Sequence, residues 1–250
     1  MTVEVHVELR AIDTINAVRR GDIIAIVDVL RCSSTIITAL ANGASEIIPV
    51  STVRKARQIK QEHPNYLLAG ERKGFKLKGF DLGNSPREFN CERVCGRGIV
   101  LTTSDGTKAF EIARNSKHVL VGGFLNAEAL GKKMQKIAFK HECGVSLIAC
   151  GKRGILSLED FICAGKILDM MPANEFAFSD SACAALTAFK GADDKISELI
   201  HSGEHGKYLK KIGLIEDIRF CLRTNLFSEV PVLLGRKITC AEDEDPPITT

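Results

Sequence analysis

The sequence predicts a three-layer α/β/α fold with a mostly parallel or mixed sheet. Over the first two thirds of the chain, short apolar runs alternate with segments that show the 3.6-residue periodicity of a helix. Most of the apolar runs are bounded by Gly, Ser, Thr or Asn, which are typical of the turns between strands and helices. Because strands that alternate with helices are joined by right-handed crossovers, the helices should cover both faces of the sheet.

The elements of this part of the chain follow in order. Residues 1–10 alternate apolar and polar side chains, which predicts a first strand and argues against a signal peptide. Buried strands are expected at residues 23–30, 47–50, 99–101, 118–121 and 145–149. Helices are expected among the segments that follow, including residues 52–62, 127–141 and 158–171.

The last part of the chain has a different pattern. Helices are predicted at residues 179–189, 196–201 and 208–222, and an edge strand at residues 231–234 with Pro231 at its start. Residues 241–250 form an acidic, Pro-containing tail that is predicted to fray. Because no linker rich in Gly, Ser or Pro interrupts the chain, residues 1–240 are predicted to form a single domain.

Composition excludes several classes of function. The net charge is only +3 and aromatic residues make up 6% of the chain, with no Trp, so we expect no nucleic-acid partner. Asp28 and Arg31 interrupt the strongest apolar run, which leaves nothing near the roughly 20 residues that span a bilayer. The nine cysteines lack a pattern of zinc-ligand pairs, and we expect most of them to be reduced, buried residues of a cytoplasmic protein.

Four polar clusters follow apolar runs, at the end of an open α/β sheet where ligands bind. In the first, Asp28 and Arg31 precede Ser33, Ser34 and Thr35, whose hydroxyl and amide groups could bind a phosphate at the start of a helix. The alternative is structural: Asp28 could pair with Arg31 while a serine caps the helix. We favour the functional interpretation, because charges at a buried strand end are unfavourable without a partner.

The second cluster adds Glu71, Arg72 and Asp81, and then Asn84 and Ser85 before Pro86. Glu71 and Asp81 are candidate carboxylate ligands, and Arg72 is a candidate for binding an anion. For Asn84 and Ser85, substrate binding and the capping of a helix that begins at Pro86 are equally good interpretations.

The third and fourth clusters supply further groups for an anion. Thr103, Gly106 and Thr107 could form a backbone nest for an oxyanion, although the Lys of a nucleotide-binding P-loop is absent. Lys152 and Arg153 add positive charge. Ser157 with Asp160 resembles a helix capping box, which leaves one of Glu159 and Asp160 for another role.

Carboxylates beside an anion site indicate a metal ion. A protein that only binds anions gains nothing from Asp28, Glu71, Asp81 and Asp160, whereas a hard divalent cation between them and a phosphate would make use of their charge. Hydrolysis of a phosphate monoester requires lowering a barrier by tens of kcal/mol, on the order of magnitude, and metal ions and arginines are the usual means. One helix N-terminus contributes only about 0.3–2 kcal/mol.

In combination, these motifs resemble those of the 2-phosphosulfolactate phosphatase (ComB-like) family. The matching segments are Asp28-Val29-Leu30-Arg31 with Ser34-Thr35, Gly70-Glu71-Arg72, residues 79–86, Thr102-Thr103 with Gly106-Thr107, residues 124–127, residues 157–160 with Cys163-Ala164-Gly165, residues 206–209, Gly213 with Glu216-Asp217, and Val230-Pro231. The resemblance covers nearly the whole chain. Cys32 and Ser104-Asp105 depart from it, where Ala and Asn are more usual.

The resemblance implies Mg²⁺-dependent hydrolysis of 2-phosphosulfolactate to sulfolactate and phosphate, a step toward coenzyme M. Within it we assign catalysis to Asp28, Arg31 and Arg72. Mg²⁺ is assigned to Asp28, Glu71 and Asp160, with Asp81 in reserve. Substrate binding is assigned to Ser33, Ser34, Thr35, Asn84, Ser85, Thr103, Gly106, Thr107, Lys152 and Arg153.

Several alternatives stay open at this point. The nucleophile is either water, which we favour, or the Asp28 carboxylate, although Leu30 stands where the aspartyl-phosphate motif has a second Asp. Cys32 lacks the Arg six residues later that cysteine phosphatases use, because that residue is Thr38. The substrate could be another 2-phosphorylated acid, and the protein could instead bind such acids without catalysis. A homo-oligomer is compatible with the sequence.

Overall fold

The computed structural model describes residues 2–104, 106–152, 154–172 and 175–240. Its strands are β1 (Val3–Glu8), β2 (Ile23–Val27), β3 (Glu46–Pro49), β4 (Leu67–Arg72), β5 (Phe75–Lys76), β6 (Gly98–Thr102), β7 (Val119–Gly122), β8 (Val145–Ala149), β9 (Phe176–Phe178), β10 (Val232–Leu234) and β11 (Lys237–Thr239). Its helices are α1 (Thr14–Arg20), α2 (Cys32–Ala41), α3 (Val53–Glu62), α4 (Cys91–Val94), α5 (Gly106–Ala113), α6 (Ala127–His141), α7 (Leu158–Leu168), α8 (Asp180–Ala192), α9 (Ile196–Ser202), α10 (Glu204–Lys211) and α11 (Ile215–Cys221).

One mixed sheet forms the middle layer, with the strand order β5-β4-β6-β3-β11-β10-β7-β2-β8-β1-β9. Neighbouring strands run parallel, except where β5 pairs with β4 and where the β10–β11 hairpin pairs with β7 and β3. Helices pack on both faces of this sheet. The predicted three-layer α/β fold is therefore confirmed.

The two faces of the sheet bury two separate hydrophobic cores. Successive side chains of a strand point to opposite faces, so Ile23, Ala25 and Val27 of β2 enter one core while Ile24 and Ile26 enter the other. All five residues of β2 are buried, as expected for a central parallel strand covered by helices on both sides. This burial fixes the end of β2, and therefore the position of Asp28.

Two sequence predictions about the last part of the chain are wrong. The segment with Pro231 was expected at a sheet edge, but β10 lies inside the sheet, between β11 and β7. The reason is its hairpin with β11, which fills the space between β3 and β7. The single helix expected over residues 208–222 is instead two helices, α10 and α11, because Gly213 adopts a left-handed φ of 81° between them.

The cysteines, the search for a membrane-spanning helix and the acidic tail bear on three further expectations. The expectation that most of the nine cysteines are buried is wrong. Cys143 is half-buried, and the other eight divide equally: Cys32, Cys150, Cys163 and Cys221 are buried, while Cys91, Cys95, Cys183 and Cys240 are exposed. Across the described ranges, no helix is long and apolar enough to cross a membrane. The tail at residues 241–250 lies outside the described residues.

The contact between α7 and α8 gives a test of the packing. A Cβ atom at Gly165 would lie 2.1 Å from the Ala185 carbonyl oxygen, which is backbone and cannot rotate away. Gly165→Ala should therefore lower the free energy of unfolding by about 2 kcal/mol, measured by urea denaturation.

The matched control for this substitution is Gly191→Ala on α8, where a Cβ atom would meet nothing within 4 Å. This variant should leave the free energy of unfolding unchanged or raise it by up to about 1 kcal/mol. Equal effects of the two substitutions would contradict the close approach of the two helices.

Candidate active site

A cavity of about 590 Å³ lies beyond the carboxyl ends of the parallel strands. This volume is in the range of pockets that hold small molecules. Each of the four polar clusters of the sequence contributes to its wall, through Asp28, Glu71, Thr103 and Asp160 among others. Ligands of open α/β sheets bind at this end, because helix N-termini and loops meet there.

The loop after β6 reaches the end of β2, although four strands separate these two in the sheet. The contact between the loops is close: a Cβ atom at Gly106 would lie 2.4 Å from Oδ2 of Asp28 and 2.9 Å from Cβ of Cys32. Any larger residue at position 106 would displace Asp28. Gly106 therefore serves the site by leaving room for this carboxylate.

Asp28 and Asp160 form the acidic centre of the cavity. Oδ1 of Asp28 accepts a hydrogen bond from the Cys32 amide, at 3.1 Å. Oδ1 of Asp160 accepts one from the Val29 amide at 2.8 Å, and its Oδ2 accepts one from the Gly151 amide at 3.2 Å. Burial, together with the negative charges of Glu159 and Asp28, raises the pKa of Asp160 well above its usual range.

Glu71 also faces the cavity, but it ties two loops together. Its Oε1 accepts hydrogen bonds from the amide and the hydroxyl of Ser104, both at 2.9 Å. Its Oε2 accepts one from the Gly74 amide at 2.7 Å. The carboxylate thus fixes the turn between β4 and β5 next to the loop that follows β6.

A buried ion pair holds Arg31 in the cavity wall. Its Nη1 lies 2.5 Å from Oδ2 of Asp217, and both side chains are only 4% exposed. Its Nη2 donates to the Gly74 carbonyl at 2.9 Å. The other oxygen of Asp217 accepts a hydrogen bond from Ser85 at 2.6 Å. Arg31 therefore pairs with a residue near the end of the chain and not with Asp28.

Positive charge reaches the cavity from three lysines on different elements, Lys73, Lys108 and Lys152. Lys73 belongs to the turn between β4 and β5, and its carbonyl accepts a hydrogen bond from the Tyr208 hydroxyl at 2.9 Å. The ammonium group of Lys152 lies 4.5 Å from the centre of the Tyr208 ring. Three ammonium groups and one guanidinium thus surround a space whose centre is acidic.

Two buried polar atoms in the cavity wall lack a hydrogen-bond partner among the described residues, Oδ1 of Asn84 and Oγ of Ser157. Both residues are 4% exposed. Ser157 precedes α7, yet its side chain makes no capping hydrogen bond, so the predicted capping box does not form. Buried polar atoms are rarely left unpaired in proteins, which points to a polar ligand in this cavity.

Comparison with known proteins places this site in a family. The family model described as 2-phosphosulpholactate phosphatase matches residues 11–235. A protein of Symbiobacterium thermophilum is 34% identical over 226 residues, which cover 89% of this chain and 95% of that protein. One of Thermotoga maritima is 40% identical over 210 residues, 84% of this chain and 88% of its own length. Both relatives carry the name "Probable 2-phosphosulfolactate phosphatase".

The chain belongs to the 2-phosphosulpholactate phosphatase family. The resemblance found in the sequence is confirmed. A relative from Clostridium beijerinckii, with the same name, is 34% identical over 241 residues, 95% of this chain and 99% of that protein. The chain is therefore a phosphoric monoester hydrolase by family, and its cavity can be examined for the groups that such a reaction needs.

In this 2-phosphosulpholactate phosphatase fold, the hydroxyls at the start of α2 are not in the cavity wall. Ser33 donates to the Ile26 carbonyl, Ser34 to that of Val29 and Thr35 to that of Asn84, at 3.1, 2.8 and 2.9 Å. All three residues are fully buried. The structure corrects their assignment to substrate, because backbone oxygens already use these hydroxyls to hold the helix against its neighbours.

Five other predicted residues also lie outside the cavity wall: Gly106, described above, and Arg72, Asp81, Ser85 and Thr107. The Arg72 guanidinium bonds the Glu71 and Ser51 carbonyls and the Thr102 hydroxyl. Asp81 is exposed and accepts a hydrogen bond from the Leu68 amide at 2.8 Å. Ser85 is held by Asp217, and the Thr107 hydroxyl donates to the Thr103 carbonyl at 3.3 Å. Arg153 lies outside the described residues.

The predicted carboxylate set does not form a complete metal-binding cluster. Among the described residues, no group of three or more His, Cys, Asp and Glu side chains could hold a metal ion. Asp28, Glu71 and Asp160 all line the cavity, but the two oxygens of Glu71 are directed to Ser104 and Gly74. The negative charge of Asp28 acts on Asp160 and raises its pKa.

Several residues of the site carry little signal in the sequence. Asp217 entered only as part of the family resemblance. Lys108 and His205 were not identified at all, and both line the cavity. Their signal in the sequence is weak, because an isolated Lys or His on an amphipathic helix usually faces solvent.

Cys32 lies beside Asp28 with its side chain buried. Burial, and then the charge of Asp28, raise the pKa of its thiol well above the usual value. A thiol that stays protonated is a poor nucleophile. The structure therefore agrees with the interpretation of Cys32 as a packing residue.

The Arg31–Asp217 pair gives a second test. Asp217→Asn leaves the buried guanidinium without its counter-charge, so the free energy of unfolding should fall by about 3 kcal/mol in urea denaturation. Glu216→Gln is the matched control, because the neighbouring Glu216–Arg219 pair is 49% and 61% exposed. Loss of an exposed pair should change stability by less than about 1 kcal/mol. Similar losses in the two variants would show that Asp217 has no special role.

Proposed function

We propose that this protein hydrolyses 2-phosphosulfolactate to sulfolactate and inorganic phosphate, a step in the biosynthesis of coenzyme M. One observation carries the proposal: a single cavity combines an acidic centre with four cationic side chains and two unpartnered polar atoms. A carrier of anions would need the cations but would be weakened by the carboxylates. The names of the family and of the relatives supply the substrate.

The three anionic groups of this substrate match the spread of positive charge. Its phosphate, carboxylate and sulfonate groups point in different directions from a skeleton of three carbons. Lys73, Lys108 and Lys152 likewise line the cavity from three separate segments of the chain. Lysine binds such groups as a mobile point charge. Arg31 already donates hydrogen bonds to Asp217 and Gly74, so we assign it a structural role, in which it shapes the cavity wall and adds positive charge to it.

Mg²⁺ fits this cavity with Asp28 and Asp160 as its protein ligands. Mg²⁺ usually retains several waters and binds one or two carboxylates together with substrate phosphate, so a cluster of three carboxylates is not required. A cation here would also relieve the repulsion between the buried carboxylates of Asp28, Glu159 and Asp160. When bound, the ion would neutralise charge on the phosphoryl oxygens.

The chain's own groups would then divide the work of hydrolysis. Water attacks phosphorus, the bond to the substrate oxygen breaks, and the electron pair of that bond leaves on the oxygen of sulfolactate. Asp28 accepts a proton from the attacking water, whose oxygen stays on the phosphate. Thr103, in the loop next to Asp28, holds a phosphoryl oxygen in the cavity.

Phosphate release tests the proposal directly. The protein should release phosphate from 2-phosphosulfolactate faster than from 2-phospholactate, with Mg²⁺ present and not with EDTA, because only the first substrate offers a sulfonate to the lysines. Equal turnover of 2-phosphosulfolactate and 2-phospholactate would support phosphatase activity but contradict a role in coenzyme M biosynthesis. Absence of release under all conditions would favour a binding protein for phosphorylated acids.

The role of Asp28 separates an enzyme from a binding protein. Asp28→Asn should lower phosphate release by about 100-fold or more, a loss typical of removing one preorganised charge, yet keep or increase affinity for inorganic phosphate in calorimetry. Asp81→Asn is the control, because Asp81 lies outside the cavity and should retain full turnover. Full turnover of Asp28→Asn would reject the assignment of Asp28.

A further inference from the structure

His205 lines the cavity wall and pairs with the carboxylate of Glu159, and this pair has no part in the reaction described so far. Nδ1 of His205 lies 2.7 Å from Oε1 of Glu159. The Glu159 side chain is 2% exposed, while that of His205 is 19% exposed and lines the cavity. Within the described residues, the other ring nitrogen, Nε2, makes no hydrogen bond. The carboxylate therefore fixes one edge of the ring and leaves the other edge for the cavity.

The backbone holds this pair in place from both sides. Glu159 stands in the first turn of α7, next to Asp160, and His205 in the first turn of α10. At Gly206, a Cβ atom would lie 2.0 Å from the Ile200 carbonyl oxygen, so α10 packs directly on the end of α9. Such packing of α10 sets the position of the imidazole in the wall of the cavity that Asp28 and Asp160 also line.

The proposed hydrolysis still needs a proton for the leaving oxygen. An alkoxide derived from sulfolactate is a poor leaving group. In the proposed reaction Asp28 accepts the proton of the attacking water and Asp160 is a ligand of Mg²⁺, so neither is available to supply a proton. The Tyr208 hydroxyl is occupied by the Lys73 carbonyl. Histidine is the side chain that proteins most often use for proton transfer, and a hydrogen bond at one ring nitrogen sets the role of the other.

We propose that His205, oriented by Glu159, is the general acid of the reaction and donates the Nε2 proton to the leaving oxygen. The inference rests on the proposed phosphatase function. As the bond from phosphorus to the ester oxygen breaks, its electron pair stays on that oxygen, which takes the proton and leaves as an alcohol. The proton that Asp28 receives from water restores the imidazolium through solvent, so the cycle balances.

The test compares two leaving groups of nearly equal shape, 2-phospholactate and its 3,3,3-trifluoro analogue, whose alcohol is more acidic and needs a proton less. His205→Gln should lower kcat by about 100-fold or more for 2-phospholactate, as loss of a general acid does. The loss for the fluorinated substrate should be about 10-fold smaller, with KM little changed. Glu159→Gln should act in the same direction with a smaller effect.

His201→Gln is the matched control. His201 lies on α9, outside the cavity wall, with its Nδ1 2.7 Å from the Ser197 carbonyl oxygen. The His201→Gln variant should turn over both substrates at the rate of the unaltered protein. His205→Asn provides a second variant if His205→Gln does not fold, as judged by circular dichroism.

The outcomes separate the two proposals. An equal loss on both substrates, or no loss, would overturn the role of His205 while the phosphatase stands. An unaltered protein that is inactive on both substrates and on 2-phosphosulfolactate would overturn the proposed function, and this inference with it.

Discussion

The buried ion pair between Arg31 and Asp217 joins parts of the chain that are 186 positions apart. Arg31 follows β2, and Asp217 lies in α11, beyond all the parallel strands. Through the Gly74 carbonyl and the Ser85 hydroxyl, the same pair also holds the turn after β4 and the loop before residue 86. Because buried charges are tolerated only with good partners, these four segments are constrained to meet at one place.

The cavity follows from that constraint. Once the segments meet, the acidic end of β2 faces the turn that carries Lys73, and Tyr208 of α10 closes against the same turn. Glu71 completes the connection by binding Ser104 on one side and Gly74 on the other. Several side chains whose hydrogen-bonding groups are used within the protein therefore decide where the other groups of the cavity lie.

The opposed charges of the wall have a physical consequence. Carboxylates in a buried centre repel one another, which is why the pKa of Asp160 is raised, and cations around the rim attract an anion into the same space. In the proposed reaction, the rim would hold a substrate with several negative charges, a metal ion would neutralise the acidic centre, and the leaving oxygen would need a proton. His205, oriented by Glu159, supplies that proton from the helical side of the cavity.

Local patterns predicted the elements well, because apolar periodicity reports burial within a few residues. The structure has α6 at the predicted residues, and β2 and β8 where apolar runs stood. Charged residues that directly follow an apolar run likewise predicted a site at Asp28, Glu71, Lys152 and Asp160, and all four line the cavity. The local pattern of apolar and polar residues could not show that β10 lies inside the sheet, since strand order depends on which distant segments pair.

The sequence by itself determined the α/β class, the family and the loops that carry polar groups, because these depend on short-range order and on shared motifs. Only the tertiary structure decided which polar side chains serve the cavity. Ser33, Ser34, Thr35 and Arg72 have the right chemistry for an anion, yet backbone partners within reach already use their donors. Lys108, His205 and Asp217 reach the site from distant helices, and that placement depends on packing that no local pattern encodes.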